Sequence, residues 1–217
     1  MSPASVNGPR SRLHGMRPAG PADTEVLALI SSATFLETYA GLIPGTDILL
    51  QCRRRHSSEA FAARLANGER LFLFGVRGAP IGYLALGAPS LQQLASDFDE
   101  RSLEIADLYV LNGSQGNGIG SCLLMNAVVF SIRAGVRRLI VKVDKRNDAA
   151  IGFFEAQDFR PLGLEKIALG GIVYDQVVLA RAIILEDAPD KLGQFRALAS
   201  GPGPEMRRLT KPRVRRR

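Results

Sequence analysis

Residues 108–124 read LYVLNGSQGNGIGSCLL. An apolar run closes at Leu111, a turn carries glycines at 113, 116, 118 and 120, and Ile119, Leu123 and Leu124 follow at helical spacing. A strand that turns through glycine into a helix brings unpaired main-chain N–H groups and the positive end of the helix dipole to one point. Gly116, Gly118 and Gly120 also let a ligand approach the main chain closely. That geometry suits a phosphate or a diphosphate.

Three phosphate-binding patterns compete for this turn. A P-loop needs Lys and then Ser or Thr after its last glycine, but Gly118 is followed by Ile119 and Gly120. A dinucleotide G-x-G-x-x-G started at Gly116 puts Ser121 in its last slot, and started at Gly118 it puts Leu123 there. No acidic residue stands about 20 positions further on, where that fold wants one, because residues 139–142 read LIVK. The third pattern, Gln/Arg-x-x-Gly-x-Gly/Ala, is met by Gln115, Gly118 and Gly120. A plain glycine turn between strand and helix remains the alternative.

Working outward, residues 103–111 read as a strand, and 71–76 and 81–86 as a hairpin turning at Gly78-Ala79-Pro80. Residues 13–19 suit a short first strand that Pro18 confines to an edge. Val26, Leu27, Ile30, Ala33 and Leu36 recur at three- and four-residue steps, so a helix starts at Asp23 and ends near Gly41. A second helix runs from Ser57 or Ser58 to Ala66, stopped by Asn67-Gly68. Residues 87–101 read as a loop with a helical turn. After the glycine turn come a helix at 119–134, a strand at 139–143, a helix at 148–156 and a strand at 173–182, an α/β order.

The 217 residues, 46% hydrophobic and 23% charged, suffice for one packed domain with segments to spare. The expected organisation is a flexible basic arm at 1–12, a domain at 13–186, and a disordered basic tail at 187–217. The net charge of +7 equals the seven Arg and Lys residues of the last twelve, so the domain itself is not basic. A folded nucleic-acid-binding surface is thereby excluded, and contact with nucleic acid or an anionic surface is left to the tail, which has no aromatic residue for base stacking. There is no apolar run of membrane-spanning length and no apolar leader segment, and Cys52 and Cys122 lack metal-ligand spacing. The expectation is a cytoplasmic protein without a metal.

Three segments together resemble the GNAT family of acetyl-CoA-dependent N-acyltransferases: the turn at 108–124, VDKRNDAAIGFFEAQDF at 143–159, and ATFLETYAGLIP at 33–44. The resemblance covers residues 13–182 in the family's order. It implies a mixed, strongly twisted central sheet flanked by helices, with a splayed strand pair forming the acyl-CoA cleft. It also implies N-acetyl transfer from acetyl-CoA, as co-substrate, to a primary amine of a small molecule or peptide in a ternary complex. The alternative is a non-catalytic or weakly active acyl-CoA-binding module. Homodimerisation stays open.

By the same resemblance, main-chain groups of Tyr109 and Val110 pair with the pantetheine arm. Amides from Gln115 through Gly116, Asn117, Gly118, Ile119 and Gly120 to Ser121 take the diphosphate, and Asn147 contacts the cofactor from across the cleft. Asn147 also suits the N-cap of the helix after it. Tyr39 and Tyr174 fall near the acceptor.

An alkyl amine has a pKa of about 10, so its attack on a thioester needs a base. Glu104 stands at the offset from Gln115 that histone-acetylating members use for a catalytic glutamate. Strict alternation would put Glu104, Ala106, Leu108 and Val110 on one sheet face and Asp107 on the other. Many family members protonate the leaving thiolate with a tyrosine where this chain has Phe154, and they have glycine where it has Asp158. Phe154 is expected to pack at the thiol end of the cofactor. The Arg53-Arg54-Arg55 run reads as a solvated loop face, with an acidic acceptor or the cofactor's 3′-phosphate as its other use, and His56 beside it reads as a surface residue.

Overall fold

The computed structural model describes residues 15–91, 101–169 and 172–184. The arm at 1–12, the start of the expected first strand, most of the loop before residue 101 and the tail at 187–217 lie outside the described residues. Seven strands form one sheet: β1 (Gly15–Pro18), β2 (Arg70–Val76), β3 (Ala79–Gly87), β4 (Ser102–Val110), β5 (Arg138–Asp144), β6 (Arg160–Leu169) and β7 (Ile172–Ala182), in the spatial order β1-β2-β3-β4-β5-β7-β6. Only β4 and β5 run parallel; every other neighbouring pair is antiparallel. β1 lies at the edge, where Pro18 leaves no ladder bond missing.

The helices are α1 (Thr24–Tyr39), α2 (Gly45–Arg55), α3 (Ser58–Ala66), α4 (Ile119–Arg133) and α5 (Asp148–Glu155). Leu27 and Ile30 of α1 and Phe61 of α3 pack with Leu71, Leu73, Tyr83 and Ala85 on one face of the sheet. Leu123, Leu124, Ala127 and Val128 of α4 pack with Leu84, Leu86, Ile105, Leu139 and Val141 on the other. The sheet is thus covered on both sides, and the glycine turn sits at the end of β4, where α4 begins. Among the described residues no helix is long and apolar enough to cross a membrane.

Three local features depart from the expectation. The β2–β3 turn is Arg77-Gly78, both with positive φ (53° and 86°), and Ala79 is already paired with Val76. Such two-residue turns suit the right-handed twist of a hairpin. Residues 45–55, where no helix is expected from sequence and Arg53-Arg54-Arg55 reads as a loop face, form α2, which buries no side chain fully. Residues 160–169 form β6, whose ladder shifts register between Pro161 and Gly163.

Candidate active site

β4 and β5 are paired only from Ser102↔Arg138 to Ile105↔Val141. β4 continues to Val110 and β5 to Asp144, so their C-terminal ends part. A cavity of about 500 Å³ fills the gap, within the size range of small-molecule sites.

One end of the cavity is the glycine turn. Gly116 (φ 75°) and Gly118 (φ 77°) both have left-handed backbone, and Gly118 is the N-cap of α4. The Gln115 side chain folds back, its Nε2 donating to Val110 O (2.9 Å) and Asn112 Oδ1 (2.9 Å). The Gln115 main-chain N–H donates to Asn112 O at 3.2 Å. The expected cradle therefore loses that amide and runs from Gly116 to Ser121, whose N–H groups meet no main-chain acceptor among the described residues. Asn117 Nδ2 donates to Ser114 O and Gln115 O (3.2 Å each), which fixes the loop. The Ile119 side chain lies in the core. A Cβ on Gly120 would sit 3.4 Å from the Phe153 ring, so α4 and α5 meet closely here.

The long wall is the free edge of β4. Leu111 N donates to Ile81 O at 3.0 Å, and the two-residue period of an antiparallel ladder turns the main-chain groups of Tyr109 toward Tyr83 in the same way. Those of Leu108 and Val110 face the cleft instead. Of the groups expected to pair with a cofactor arm, those of Tyr109 are turned to β3, the Val110 N–H faces the cleft, and Val110 O already accepts from Gln115 Nε2.

Across the cleft, Asn147 Oδ1 accepts from Ala150 N (3.0 Å) as the N-cap of α5, and Asn147 also lines the cavity. Phe154 lines it too, and is 5% exposed with its ring edge-on to Phe153 and Phe159. No hydroxyl stands at this position, so Phe154→Tyr is expected to raise turnover about tenfold with little change in acetyl-CoA affinity. Steady-state kinetics decide it, and unchanged or slower turnover removes the idea that a proton donor is missing. Asp158 has φ 65°, which L-residues rarely adopt. The family's glycine at that place answers a backbone need, not a chemical one.

The opposite face of β4 holds the candidate base, and here the expected alternation fails. Ala85 faces Asp107 but Leu86 faces Ile105, so β4 carries one extra residue, Ala106. The bulge exchanges the two faces. Glu104, Asp107 and Tyr109 share the α1 side, while Ile105, Leu108 and Val110 face α4. The Glu104 carboxylate does not line the cavity. It accepts from Ser90 N (2.6 Å) and Ser90 Oγ (2.9 Å) and pairs with Lys142 Nζ at 3.2 Å. Asp107 does line it. Its Oδ2 accepts from Arg64 Nη2 at 2.5 Å, while Oδ1 has no partner among the described residues. Burial works against the Arg64 charge, but Asp107 and Glu69 outweigh it and keep the guanidinium protonated.

Tyr39, at the end of α1, reaches the same space. Burial, aided by the nearby Asp144 carboxylate, raises its phenol to about 12. Asp144 is held by Arg146, whose Nε and Nη2 donate at 2.9 Å and 2.7 Å. Tyr174 lies outside this cavity, with the Arg146 guanidinium 4.6 Å above its ring.

Beneath this floor runs a buried polar chain that sequence reasoning missed. Ser31 Oγ bonds both Tyr83 OH (2.8 Å) and His56 Nδ1, and Tyr83 stacks on Tyr109 at 5.7 Å between centroids. His56 is 4% exposed, not a surface residue, because it caps the C-terminus of α2 and turns inward against Phe35. Burial depresses the imidazole from 6.5 to about 4. A depressed histidine favours the fold above its unfolded pKa, and that contribution is lost as pH falls. Melting temperature should therefore drop between about pH 6.5 and pH 4, and drop less in His56→Gln. Identical pH slopes for the two proteins would contradict this.

The pattern of the Acetyltransferase (GNAT) family matches residues 40–159, more than half of the chain. An uncharacterized N-acetyltransferase of Mycobacterium bovis is 24% identical over 163 residues, covering 75% of this chain and 99% of that protein. The PaiA N-acetyltransferase of Thermoplasma acidophilum, solved with coenzyme A, superposes with a TM-score of 0.62 at 17% identity, over 77% of this chain and 97% of that one. YncA of Salmonella typhimurium, a putative acetyltransferase solved with acetyl-CoA, gives 0.58 at 21% identity, over 81% and 96%. The split sheet and the glycine turn both fall inside the matched segment, and the chain belongs to the GNAT family of acetyl-CoA-dependent acyltransferases.

Proposed function

We propose that the protein moves an acetyl group from acetyl-CoA directly to a primary amine of a small molecule or peptide, with both substrates bound at once. One observation carries this reading. The gap between β4 and β5 ends at a turn whose amides, Gly116 to Ser121, have no main-chain acceptors among the described residues. A diphosphate on those amides lays an extended arm along Val110 and brings a thioester toward Asn147 and Phe154.

The acceptor then approaches from the Tyr39 side. Asp107 Oδ1 takes a proton from the arriving ammonium, the freed nitrogen lone pair attacks the thioester carbonyl carbon, the C–S bond breaks, and the second proton that the nitrogen sheds goes to water. Arg64 on Oδ2 holds that carboxylate in place. Coenzyme A leaves as a thiolate, and since thiols are fairly acidic (about 8.5 for cysteine), water can return its proton. Glu104, the base that the resemblance suggested, acts in this scheme by anchoring Lys142, which lines the cleft. The proposed setting is the cytoplasm, in keeping with two free cysteines, Cys52 and Cys122.

Thiol release from acetyl-CoA across alkyl amines, peptides and aminoglycosides tests the reading. Release with at least one of them is expected. Uptake of acetyl-CoA with no release from any acceptor would favour a binding module instead.

A further inference from the structure

A second cavity, of about 290 Å³, adjoins the cleft on the acceptor side, and Asp144 lines both. The new walls come from the start of the β5–α5 loop and from the β6–β7 hairpin, and they carry Lys145, Arg146, Lys166, Tyr174 and Asp175. Arg146 is pre-organised. Asp144 holds one edge of its guanidinium through Nε (2.9 Å) and Nη2 (2.7 Å), and Tyr174 supports its face at 4.6 Å. The remaining nitrogen, Nη1, reaches among the described residues only Leu42 O, at 3.4 Å. A guanidinium fixed in this way presents its free donors without further ordering cost.

The lysines decide the sign of the cavity. Neither Lys145 nor Lys166 forms an ion pair among the described residues. Asp144 is already neutralised by Arg146, so among the described lining residues Asp175, opposite Lys166 in the β6–β7 ladder, is the one carboxylate left to answer two ammonium groups. A net positive pocket beside the acceptor site repels a plain alkylammonium ion and attracts an anion. We infer that the acceptor carries, on the same molecule as the reacting amine, a carboxylate or phosphate that Arg146, Lys145 and Lys166 hold in this second cavity. The inference rests on the amine-acceptor reading above.

Pairs of amines matched in chain length test it, one member ending in a methyl group and the other in a carboxylate or a phosphate monoester. With acetyl-CoA, the acid-bearing member should show kcat/KM about tenfold higher, mostly through KM. The double variant Lys145→Met/Lys166→Met should remove that preference by raising KM for the acid-bearing member. Preference for either acid upholds the inference and identifies the group. Equal kcat/KM within every pair overturns it and leaves the acetyl-transfer reading intact. Should no amine be turned over, that reading fails, and calorimetric titration of the same acid-bearing amines onto CoA-bound protein decides the inference. Binding that the double variant loses upholds it, and no binding overturns it.

Discussion

Gly118→Val should weaken acetyl-CoA binding at least ~100-fold while leaving the protein folded. Gly118 has φ 77°, and a β-branched residue there is a backbone outlier. Crowding is not the difficulty, since nothing lies within 4 Å of a Cβ built at this position. The strain must be relieved by moving the turn, which carries the amides of Ile119, Gly120 and Ser121 away from the diphosphate. A hydrogen bond to a charged group contributes about 1.5–3 kcal/mol, so losing two costs about 3–6 kcal/mol, or ~100-fold and more. The helix survives because Leu123 and Leu124 remain fully packed in the core. Gly113→Ala is the control. It lies in the same turn without a positive φ and with open space around its Cβ, so its affinity should match the parent protein. Calorimetry with coenzyme A reads both, and an unchanged dissociation constant for Gly118→Val would remove the amide cradle from the account.

This turn was readable because glycine spacing reports directly on backbone geometry. The same holds for Asn67-Gly68 after α3, and the continuous apolar runs at 71–76 and 81–86 mark β2 and β3. What escaped was whatever the chain does without a local sign. In α2, Ile48, Leu49 and Leu50 are consecutive, not helically spaced, and the helix buries none of its side chains fully, so no periodicity could appear. Pro161 and Gly163 disguise β6, although they sit at its register shift, on an edge strand where such residues are tolerated.

The site was partly legible for the same reason. Main-chain donors can be inferred from turn chemistry, but side-chain orientation depends on register. A single extra residue, Ala106, moved Asp107 to the α1 side of the sheet, where it lines the cleft, and Glu104 to the same side but into a bond with Ser90. Neither glycine nor proline marks this bulge. His56, beside three exposed arginines, looked solvent-facing, yet its burial comes from a tertiary bond to Ser31, 25 residues away. Contacts between distant elements leave no trace in a local pattern.

Asp107→Asn isolates the consequence of that bulge. The carboxamide keeps an oxygen to accept from Arg64, and Arg64 keeps Glu69 at 2.8 Å, so the site retains its shape while losing a proton acceptor. Turnover near neutral pH should fall roughly 10²–10³-fold, the share a positioned general base supplies. The KM for acetyl-CoA should hardly change, because the substitution touches no group assigned to the cofactor. The deficit should shrink as pH approaches the pKa of the acceptor amine, about 10 for an alkyl amine, since a growing fraction then arrives already deprotonated. Glu104→Gln loosens Lys142 and is expected to lower activity without altering the shape of the pH profile. The two variants thus separate a base from a support. Should Asp107→Asn retain activity within tenfold of the parent, or lose the same factor at every pH, the proton must leave by another route. If Glu104→Gln instead showed the pH-dependent deficit, the base would be Glu104, acting through water across the Lys142 side of the cleft.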